Sequence, residues 1–263
     1  PPHLFKPMQF PTHKSNLCCS SESRNRKPVY CNQNTCTFFI DTMKTTTFYC
    51  FTAAIMSALG NVSADDDKFV TCGSAIKLTH VESGGKYLLQ SDERQLQSGS
   101  GQQLITAAQN KRSPKGLWQV REGNDEKFCE TGVPVKCGQT IRLMHLQTGS
   151  NLHTHGIRSP LSNQHEVTGF GQGGEGDSGD DWTVVCGGGG YFSGGDEYWH
   201  RDKPIQLKSV ATNRYLGSSS TVKFTEQNCG RGCPILNHLE VFGRNSNDSY
   251  SHWKVELGVH LSK

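Results

Sequence analysis

The chain has 263 residues, with 27 Lys and Arg against 24 Asp and Glu, which gives a formal net charge of +3. Residues 1–64 contain six of the basic residues and two of the acidic ones, so residues 65–263 contain 21 and 22 and carry a charge of −1. Because a nucleic-acid-binding domain normally has a basic face, this balance argues against nucleic-acid binding by residues 65–263.

Residues 43–64 have the three parts of a secretory signal peptide. A Met-Lys start precedes a mostly apolar stretch at 48–59, and small residues follow it up to Ala64. The apolar stretch is too short for a transmembrane helix, which needs about 20 residues. A buried helix of the mature fold is the alternative. Residues 1–42 show no sustained strand or helix period, so we interpret them as a disordered leader or an over-extended gene model.

Cysteine usage agrees with an oxidising compartment. Six cysteines lie in the predicted mature chain: Cys72, Cys129, Cys137, Cys186, Cys229 and Cys233. Five lie upstream: Cys18, Cys19, Cys31, Cys36 and Cys50. The even number in the mature chain predicts disulfides. The first four upstream cysteines could form a zinc site, but their spacing matches no standard ligand pattern.

Residues 65–263 contain three copies of one pattern, at about 70–122, 135–186 and 198–256. Each copy opens with an Ile-x-Leu strand, at Ile76, Ile141 and Ile205. A later leucine recurs at a spacing of 64 residues, at Leu88, Leu152 and Leu216. Each copy ends in a strand that carries one tryptophan, at Trp118, Trp182 and Trp253. A repeat of this kind decides the fold and is therefore interpreted first.

Apolar residues in each copy alternate with the two-residue period of a strand that has one buried face. Clusters of Gly, Ser, Asn and Asp separate the short strands. Three copies of about four strands can form one core by closing around a threefold axis, which also removes sheet edges. The sequence therefore predicts an all-β fold, a β-trefoil over residues 65–263, with the three tryptophans in its core. A two-sheet sandwich is the alternative.

The trefoil prediction also indicates which cysteines pair. The first and last strands of a copy are neighbours in a trefoil, which favours Cys72–Cys129 and Cys137–Cys186. Cys229 and Cys233 lie within an insertion at about 225–237 and are close enough in sequence for a local bridge.

Four segments of the mature chain resemble the MIR family, whose motifs occur in protein O-mannosyltransferases, inositol-trisphosphate and ryanodine receptors, and a small lumenal protein. They are Val70–Ser74, Gly99–Gln103, Asn151–His155 and Asp180–Val184. The resemblance covers Val70 to about Gly258 and implies a β-trefoil in the endoplasmic reticulum lumen. It also implies a role in folding and quality control, beside a J-domain co-chaperone and the lumenal heat-shock chaperone. Because no retrieval tetrapeptide ends the sequence, retention by partners, secretion or an incomplete C-terminus is expected.

We expect the partner-binding residues on loops, where a rigid barrel displays side chains that its core does not need. In copy one these are Ser98, Gly99, Ser100, Gly101, Gln102 and Gln103. In copy two they are His153, His155, Arg158, Asn163 and Gln164. His145, His153 and His155 could form a metal site, since a His-x-His pair on a strand points both rings to one face. No carboxylate or Cys accompanies them at ligand-like spacing, so hydrogen-bonded histidines and no metal are expected.

Other chemistry has little support in the sequence. Glycine-rich runs at 169–174 and 187–190 lack the Lys-Ser/Thr of a phosphate loop, and we interpret them as long surface loops. Asp180 and Asp181 are adjacent on a predicted strand and point to opposite faces, which argues against a glycosidase pair. No Ser-His-Asp or Cys-His triad is supported by spacing. We therefore expect no catalytic residues and no cofactor. A glycan-binding module that recognises O-mannosylated proteins is the alternative to a chaperone adaptor.

The first testable prediction concerns processing of the N-terminus. Cleavage after Ala64 would leave Asp65 as the first residue of the mature protein. Mass spectrometry of protein purified from its native source should find an N-terminus near Asp65. A mature protein that begins at residue 1 would contradict the signal-peptide interpretation.

Overall fold

The structure is a computed structural model that describes residues 68–96, 98–187 and 196–259. The predicted leader and signal segment at 1–64 and the glycines at 188–190 lie outside these residues. Across the described ranges no helix is long and apolar enough to cross a membrane.

Each copy of the sequence repeat forms a unit of four strands. The first unit comprises β1 (Ala75–His80), β2 (Leu88–Gln95), β3 (Gln103–Ala108) and β4 (Trp118–Glu122). The second comprises β5 (Thr140–His145), β6 (Asn151–Arg158), β7 (His165–Phe170) and β8 (Trp182–Cys186). The third comprises β9 (Ile205–Ser209), β10 (Tyr215–Lys223), β11 (Leu239–Arg244) and β12 (Trp253–Val259). A single-turn helix, α1 (Glu226–Cys229), lies in the predicted insertion between β10 and β11.

The outer strands of the three units close into a ring. Antiparallel pairing runs from β1 to β4, β5, β8, β9 and β12, and β12 pairs back with β1. A closed ring leaves no sheet edge exposed within it. Its interior holds apolar side chains from all three units, including fully buried Ile76, Ile141 and Leu207.

The inner strands of each unit form a hairpin, and the three hairpins meet at one end of the ring. Within the hairpins β2 pairs with β3, β6 with β7 and β10 with β11. Between hairpins β3 pairs with β7, β7 with β11 and β11 with β3. The all-β prediction is confirmed, and a six-stranded ring capped by three hairpins has the threefold pattern expected of a β-trefoil.

The repeated tryptophans form the same hydrogen bond in each unit. Trp118, Trp182 and Trp253 are fully buried, as predicted. Their Nε1–H groups donate to the carbonyl oxygens of Leu89 (3.1 Å), Leu152 (2.8 Å) and Leu216 (2.9 Å). The structural counterpart of Leu152 is therefore Leu89, and the alignment through Leu88 was wrong by one residue. A fourth buried tryptophan, Trp199, was not singled out from the sequence.

Two buried histidines belong to this core. His80 packs on Trp253 and His145 on Trp118, each with ring centroids 5.0 Å apart. His145 Nε2 lies 2.9 Å from Lys115 O and its Nδ1 lies 2.9 Å from Thr148 Oγ1. His145 is therefore a hydrogen-bonded core residue, held apart from the other two histidines that the sequence grouped with it.

Three disulfides link the cysteines of the described residues. Cys72 pairs with Cys129 and Cys137 with Cys186, with Cα–Cα distances of 5.7 and 5.5 Å. Cys229 pairs with Cys233 at 5.5 Å, within the insertion. These are the pairs that the sequence favoured. The first two each tie the opening of a unit to a segment at or just beyond its last strand.

Loop length predicts unequal contributions from these bridges. Cys137–Cys186 spans 49 residues and Cys229–Cys233 spans four. In the chain-entropy model the long bridge stabilises the fold by about 4 kcal/mol and the short one by about 2 kcal/mol. Guanidinium unfolding of the two double Cys→Ser variants should show this order. A larger loss from the Cys229/Cys233 variant would contradict the entropic account.

The buried histidines predict a loss of stability in mild acid. Burial lowers the pKa of both His80 and His145 below the usual value of 6.5. Below about pH 6.5 the unfolded chain binds protons at these rings before the folded chain does, so the free energy of unfolding should fall as pH decreases. The slope is at most about 1.4 kcal/mol per pH unit for each histidine.

Unfolding curves between pH 5 and 8 measure this dependence. His145→Gln should be less stable at pH 8 but should show a shallower slope below pH 6.5. An unchanged slope in that variant would show that His145 binds its proton equally in both states.

Candidate functional site

The turn between β2 and β3 packs against β7 of the second unit. Ser98–Gln103, the first set of predicted partner-binding residues, comprises this turn and the first residue of β3. Ser100 N donates to Glu166 Oε2 (3.2 Å) and Thr168 Oγ1 donates to Gln102 Oε1 (2.6 Å). Because Thr168 pairs with His153 across β6 and β7, the structure brings this turn and the predicted histidines to one region.

Glycine is required where the turn approaches Glu166. Gly99 and Gly101 have φ angles of 70° and 71°, in the left-handed region that favours glycine. A Cβ atom at residue 99 would lie 2.2 Å from Glu166 Oε1. Ser98, Gly99 and Gly101 are exposed, whereas Ser100, Gln102 and Gln103 are half-buried. The turn therefore presents small exposed groups on a backbone whose position is fixed.

His153 and His155 form the centre of a hydrogen-bonded chain with two buried carboxylates. His153 Nδ1 lies 2.8 Å from Asp180 Oδ1, and His153 Nε2 lies 3.2 Å from His155 Nδ1. His155 Nε2 lies 2.8 Å from Glu166 Oε2. The two rings share one face of β6, as the His-x-His spacing predicted. The sequence showed no carboxylate at a ligand-like spacing from them. In the structure, strand pairing brings in Glu166, 11 positions from His155, and the turn before Trp182 brings in Asp180, 27 positions from His153.

The expectation that the copy-two residues lie on loops was wrong for three of them. His153, His155 and Arg158 lie on β6, and Gln103 of the first set likewise lies on β3. His153 is only 3% exposed because the hairpin cap covers β6 on both faces. His155 is half-buried and Arg158 is exposed. His153 therefore supports its neighbours, and it does not present itself to a partner.

The remaining predicted residues form the tip of the β6–β7 hairpin. Arg158 Nη1 donates to Asn163 O (2.8 Å), and Ser159 N donates to Gln164 O (2.8 Å). Asn163 is exposed and has a φ of 62°, a conformation that asparagine tolerates in turns. This hairpin tip is held by Glu240 of β11, so it is a second surface beside the one at Ser98–Gln103.

Glu166 and Glu240 occupy equivalent places in two units. A side-chain hydroxyl donates to the backbone oxygen of each, Thr154 to Glu166 and Ser218 to Glu240, both at 2.8 Å. The carboxylate of Glu240 accepts from the backbone N–H groups of Leu161 (2.7 Å) and Ser162 (2.8 Å). Glu166 thus holds the hairpin tip of the first unit, and Glu240 holds that of the second.

The third equivalent place is apolar. Ser91 Oγ donates to Leu104 O (2.9 Å), which makes Leu104 the counterpart of Glu166 in the first unit. Leu104 packs with Phe224 and Ile235 from the third unit. A groove of about 610 Å³ runs beside this cluster and is bordered by Cys229. The insertion in the third unit therefore replaces a polar hairpin contact by an apolar surface.

The residues weighed for other chemistry have structural roles. Asp180 contacts His153, whereas Asp181 Oδ1 accepts from Asn124 N (2.7 Å), so the two carboxylates face different partners. Burial raises the pKa of Asp181 above its usual value. The loop interpretation of 169–174 was partly wrong, because Gly169 and Phe170 belong to β7.

Glu166 was missed in the sequence because its contacts with Ser100 and His155 arise from strand pairing. No local spacing marks it. The contact of Asp180 with His153 was not predicted, although Asp180 lies two residues before a repeated tryptophan. A position two residues before the tryptophan can be assigned from the sequence to the neighbourhood of the second strand, because the tryptophan hydrogen bond fixes it beside that strand.

Comparisons with known proteins agree with this architecture. The model of the MIR domain family matches residues 68–221. The mouse protein stromal cell-derived factor 2-like protein 1 is 38% identical over 202 residues, which cover 77% of this chain and 83% of the mouse protein.

Two solved structures are similar in fold and sequence. The SDF2-like protein from Arabidopsis thaliana is 32% identical, with a TM-score of 0.64, and the match covers 74% of this chain and 98% of the plant one. The S. cerevisiae protein O-mannosyltransferase Pmt1-Pmt2 complex bound to the sugar donor is 26% identical, with a TM-score of 0.60, over 73% of this chain and 26% of that chain. The threefold ring, the family match and these relatives all agree. The chain therefore belongs to the MIR domain family and is of the stromal cell-derived factor 2 type.

Proposed function

We propose that this protein is a non-enzymatic adaptor of the endoplasmic reticulum lumen. It acts in folding and quality control by binding a J-domain co-chaperone and, with it, the lumenal heat-shock chaperone. Unfolded or glycosylated client proteins are further partners. The proposal rests on the stromal cell-derived factor 2 type of the chain and on the surface built around Ser98–Gln103.

The disulfides support the compartment. Three bridges fix the described fold, and such bridges form and persist in the oxidising secretory pathway. The signal-like segment at 43–64 favours the same route. A lumenal location gives the protein access to newly made chains and to the chaperones that bind them.

The fixed hairpin tips are the observation that carries the proposal. Ser98–Gln103 is anchored on Glu166 by the N–H group of Ser100, and the tip that contains Asn163 is anchored on Glu240 through Leu161 and Ser162. Both tips expose small or polar side chains whose backbone does not need to be ordered on binding. Pre-ordering lowers the entropic cost of association, which suits a surface for folded partners.

Two exposed positions test this surface without disturbing the core. Ser98→Arg places a long charged side chain on the first tip, and Arg158→Ala removes the side chain that braces the second. We expect each to weaken association with a purified J-domain co-chaperone at least tenfold, about 1.4 kcal/mol. Titration calorimetry measures the affinity, and thermal unfolding shows whether the fold is intact.

Ser246→Arg is the matched control, because Ser246 is an exposed serine in the connection between β11 and β12. It should bind the co-chaperone like the original protein. If both tip variants fold and bind with unchanged affinity, the surface assignment is wrong. If the original protein binds no J-domain partner, the adaptor function itself is wrong.

A glycan reader for O-mannosylated proteins is the second candidate. It is favoured by the similarity to the protein O-mannosyltransferase structure, at 26% identity and a TM-score of 0.60. Saturable binding to a mannosylated peptide, and none to the same peptide without mannose, would favour this function. Equal binding to the two peptides would exclude recognition of the sugar.

A further inference from the structure

His153, Asp177 and Asp180 form a cluster of three residues that could hold a metal ion. His153 Nδ1 lies 2.8 Å from Asp180 Oδ1 and 3.6 Å from Asp177 Oδ1. One ligand atom from each of the three residues lies within 4.8 Å of the others. In a tetrahedral zinc site with bonds of about 2.0–2.2 Å, neighbouring ligand atoms lie roughly 3.3–3.5 Å apart. The two distances to His153 Nδ1 lie within about 0.6 Å of these values, so small side-chain shifts would suit one ion.

The two carboxylates are oriented by groups outside the cluster. Asp180 Oδ2 accepts from Asn151 Nδ2 and from Asp177 N, both at 3.0 Å, which leaves Oδ1 directed at His153. Asp177 Oδ1 accepts from Gly179 N (2.8 Å). A Cβ atom at Gly179 would lie 2.3 Å from His153 Cε1. The turn at Ser178–Asp180 can therefore approach the imidazole only with glycine in the middle.

The far side of His153 has the outer contacts of a metal-bound histidine. A ligating histidine commonly donates its second N–H to another acceptor, which fixes the ring. Here His153 Nε2 faces His155 Nδ1, and His155 Nε2 faces the buried carboxylate of Glu166. The chain thus ends on an acid that is only 1% exposed.

The hydrogen bonds of this chain are compatible with a cation on His153. A neutral imidazole that binds a cation through Nδ1 keeps its one hydrogen on Nε2. His153 Nε2–H then donates to His155, and His155 Nε2–H donates to Glu166, so both remaining contacts are satisfied.

The charge balance also favours a cation. Asp177, Asp180 and Glu166 bring three carboxylates together, and among the described residues their ion pairs within 4.0 Å are with His153 and His155 only. Asp180 is fully buried, and buried charge without a counter-charge is costly. Asn151, which holds Asp180, has a buried Oδ1 without a hydrogen-bond partner, an acceptor that a metal-bound water could satisfy.

We propose that this protein binds one Zn²⁺ ion through His153 Nδ1, Asp177 Oδ1 and Asp180 Oδ1, with water as a fourth ligand. One imidazole and two carboxylates suit zinc better than calcium, which takes six to eight oxygen ligands. Asp177 gives access from solvent, because its side chain is 58% exposed. Glu166 is a positioning residue that acts through His155. This site shares Glu166 with the proposed contact with chaperones, because the same carboxylate anchors Ser100, and zinc binding is tested on the protein alone.

The experiment titrates the full, disulfide-bonded chain with Zn²⁺ by calorimetry and with Co²⁺ by visible absorption. We expect one ion per chain, the intense absorption of tetrahedral Co²⁺, and no competition from a tenfold excess of Ca²⁺. Asp177→Asn should weaken Zn²⁺ binding at least tenfold, because it removes a ligand charge while its amide oxygen can still cap Gly179. Glu166→Gln should weaken binding by about 10- to 100-fold.

Asp248→Asn is the matched control. Asp248 caps the equivalent turn in the third unit through Tyr250 N (3.0 Å), so this variant should bind Zn²⁺ like the original chain. The proposal is overturned if the original chain binds no Zn²⁺. It is also overturned if Asp177→Asn binds with unchanged affinity, since the ion then lies elsewhere.

Discussion

The hydrogen bond from each repeated tryptophan to the second strand of its own unit is the constraint on which the other features depend. Trp182 Nε1 donates to Leu152 O (2.8 Å), and the same bond joins Trp118 to Leu89 and Trp253 to Leu216. An indole is large and rigid, and when buried it needs a partner for its N–H. The bond therefore fixes how the last strand of a unit lies against the second strand. In each unit, the residues just before the tryptophan therefore lie beside the residue that follows the leucine whose carbonyl oxygen accepts this hydrogen bond.

This register brings the same two positions together in each unit, and the side chains at these positions explain why one unit carries a histidine–carboxylate chain and the others do not. In the second unit the paired positions hold His153 and Asp180. Counting from the same bond, the first unit has Gln90 and Gly116 there, and the third unit has Gly217 and Ser251. Ser251 Oγ accepts instead from Gln206 Nε2 (2.7 Å). The scaffold repeats the positions, and the side chains placed on them decide the chemistry.

Most of the fold could be predicted from the sequence, because the repeat signals it three times over. Three features of the sequence indicate the ring. They are the two-residue period along the strands, the three repeated tryptophans and the cysteines near the ends of the units. The alignment at Leu88 was wrong because the link between β1 and β2 is longer in the first unit than in the others. From His80 to Leu89 it spans nine residues, against seven from His145 to Leu152. A fixed repeat spacing cannot represent a loop that differs in length.

The candidate site could be predicted only in part. His153 and His155 were identified by their spacing, which sets the face of a strand. Their partner Glu166 reaches them through hairpin pairing, which no local pattern shows. Asp180 reaches them through the turn before Trp182, and its only sequence signal is its position relative to that tryptophan. The burial of His153 was also missed, because an alternating apolar and polar pattern is interpreted as a strand with only one buried face. The three hairpins pack around a common axis and cover both faces of β6.

Divergence at one equivalent position gives the three faces of the trefoil different character. Glu166 and Glu240 are buried acids, and each offers its oxygens to the N–H groups of a neighbouring hairpin tip. An acid at Leu104 would meet Phe224 and Ile235, which offer no donor, so the unpaired charge would be costly there. The leucine in the first unit therefore matches the apolar surface of the insertion in the third. Because each tip is held by a different strand, one face can change its partner while the ring and the other two faces stay as they are.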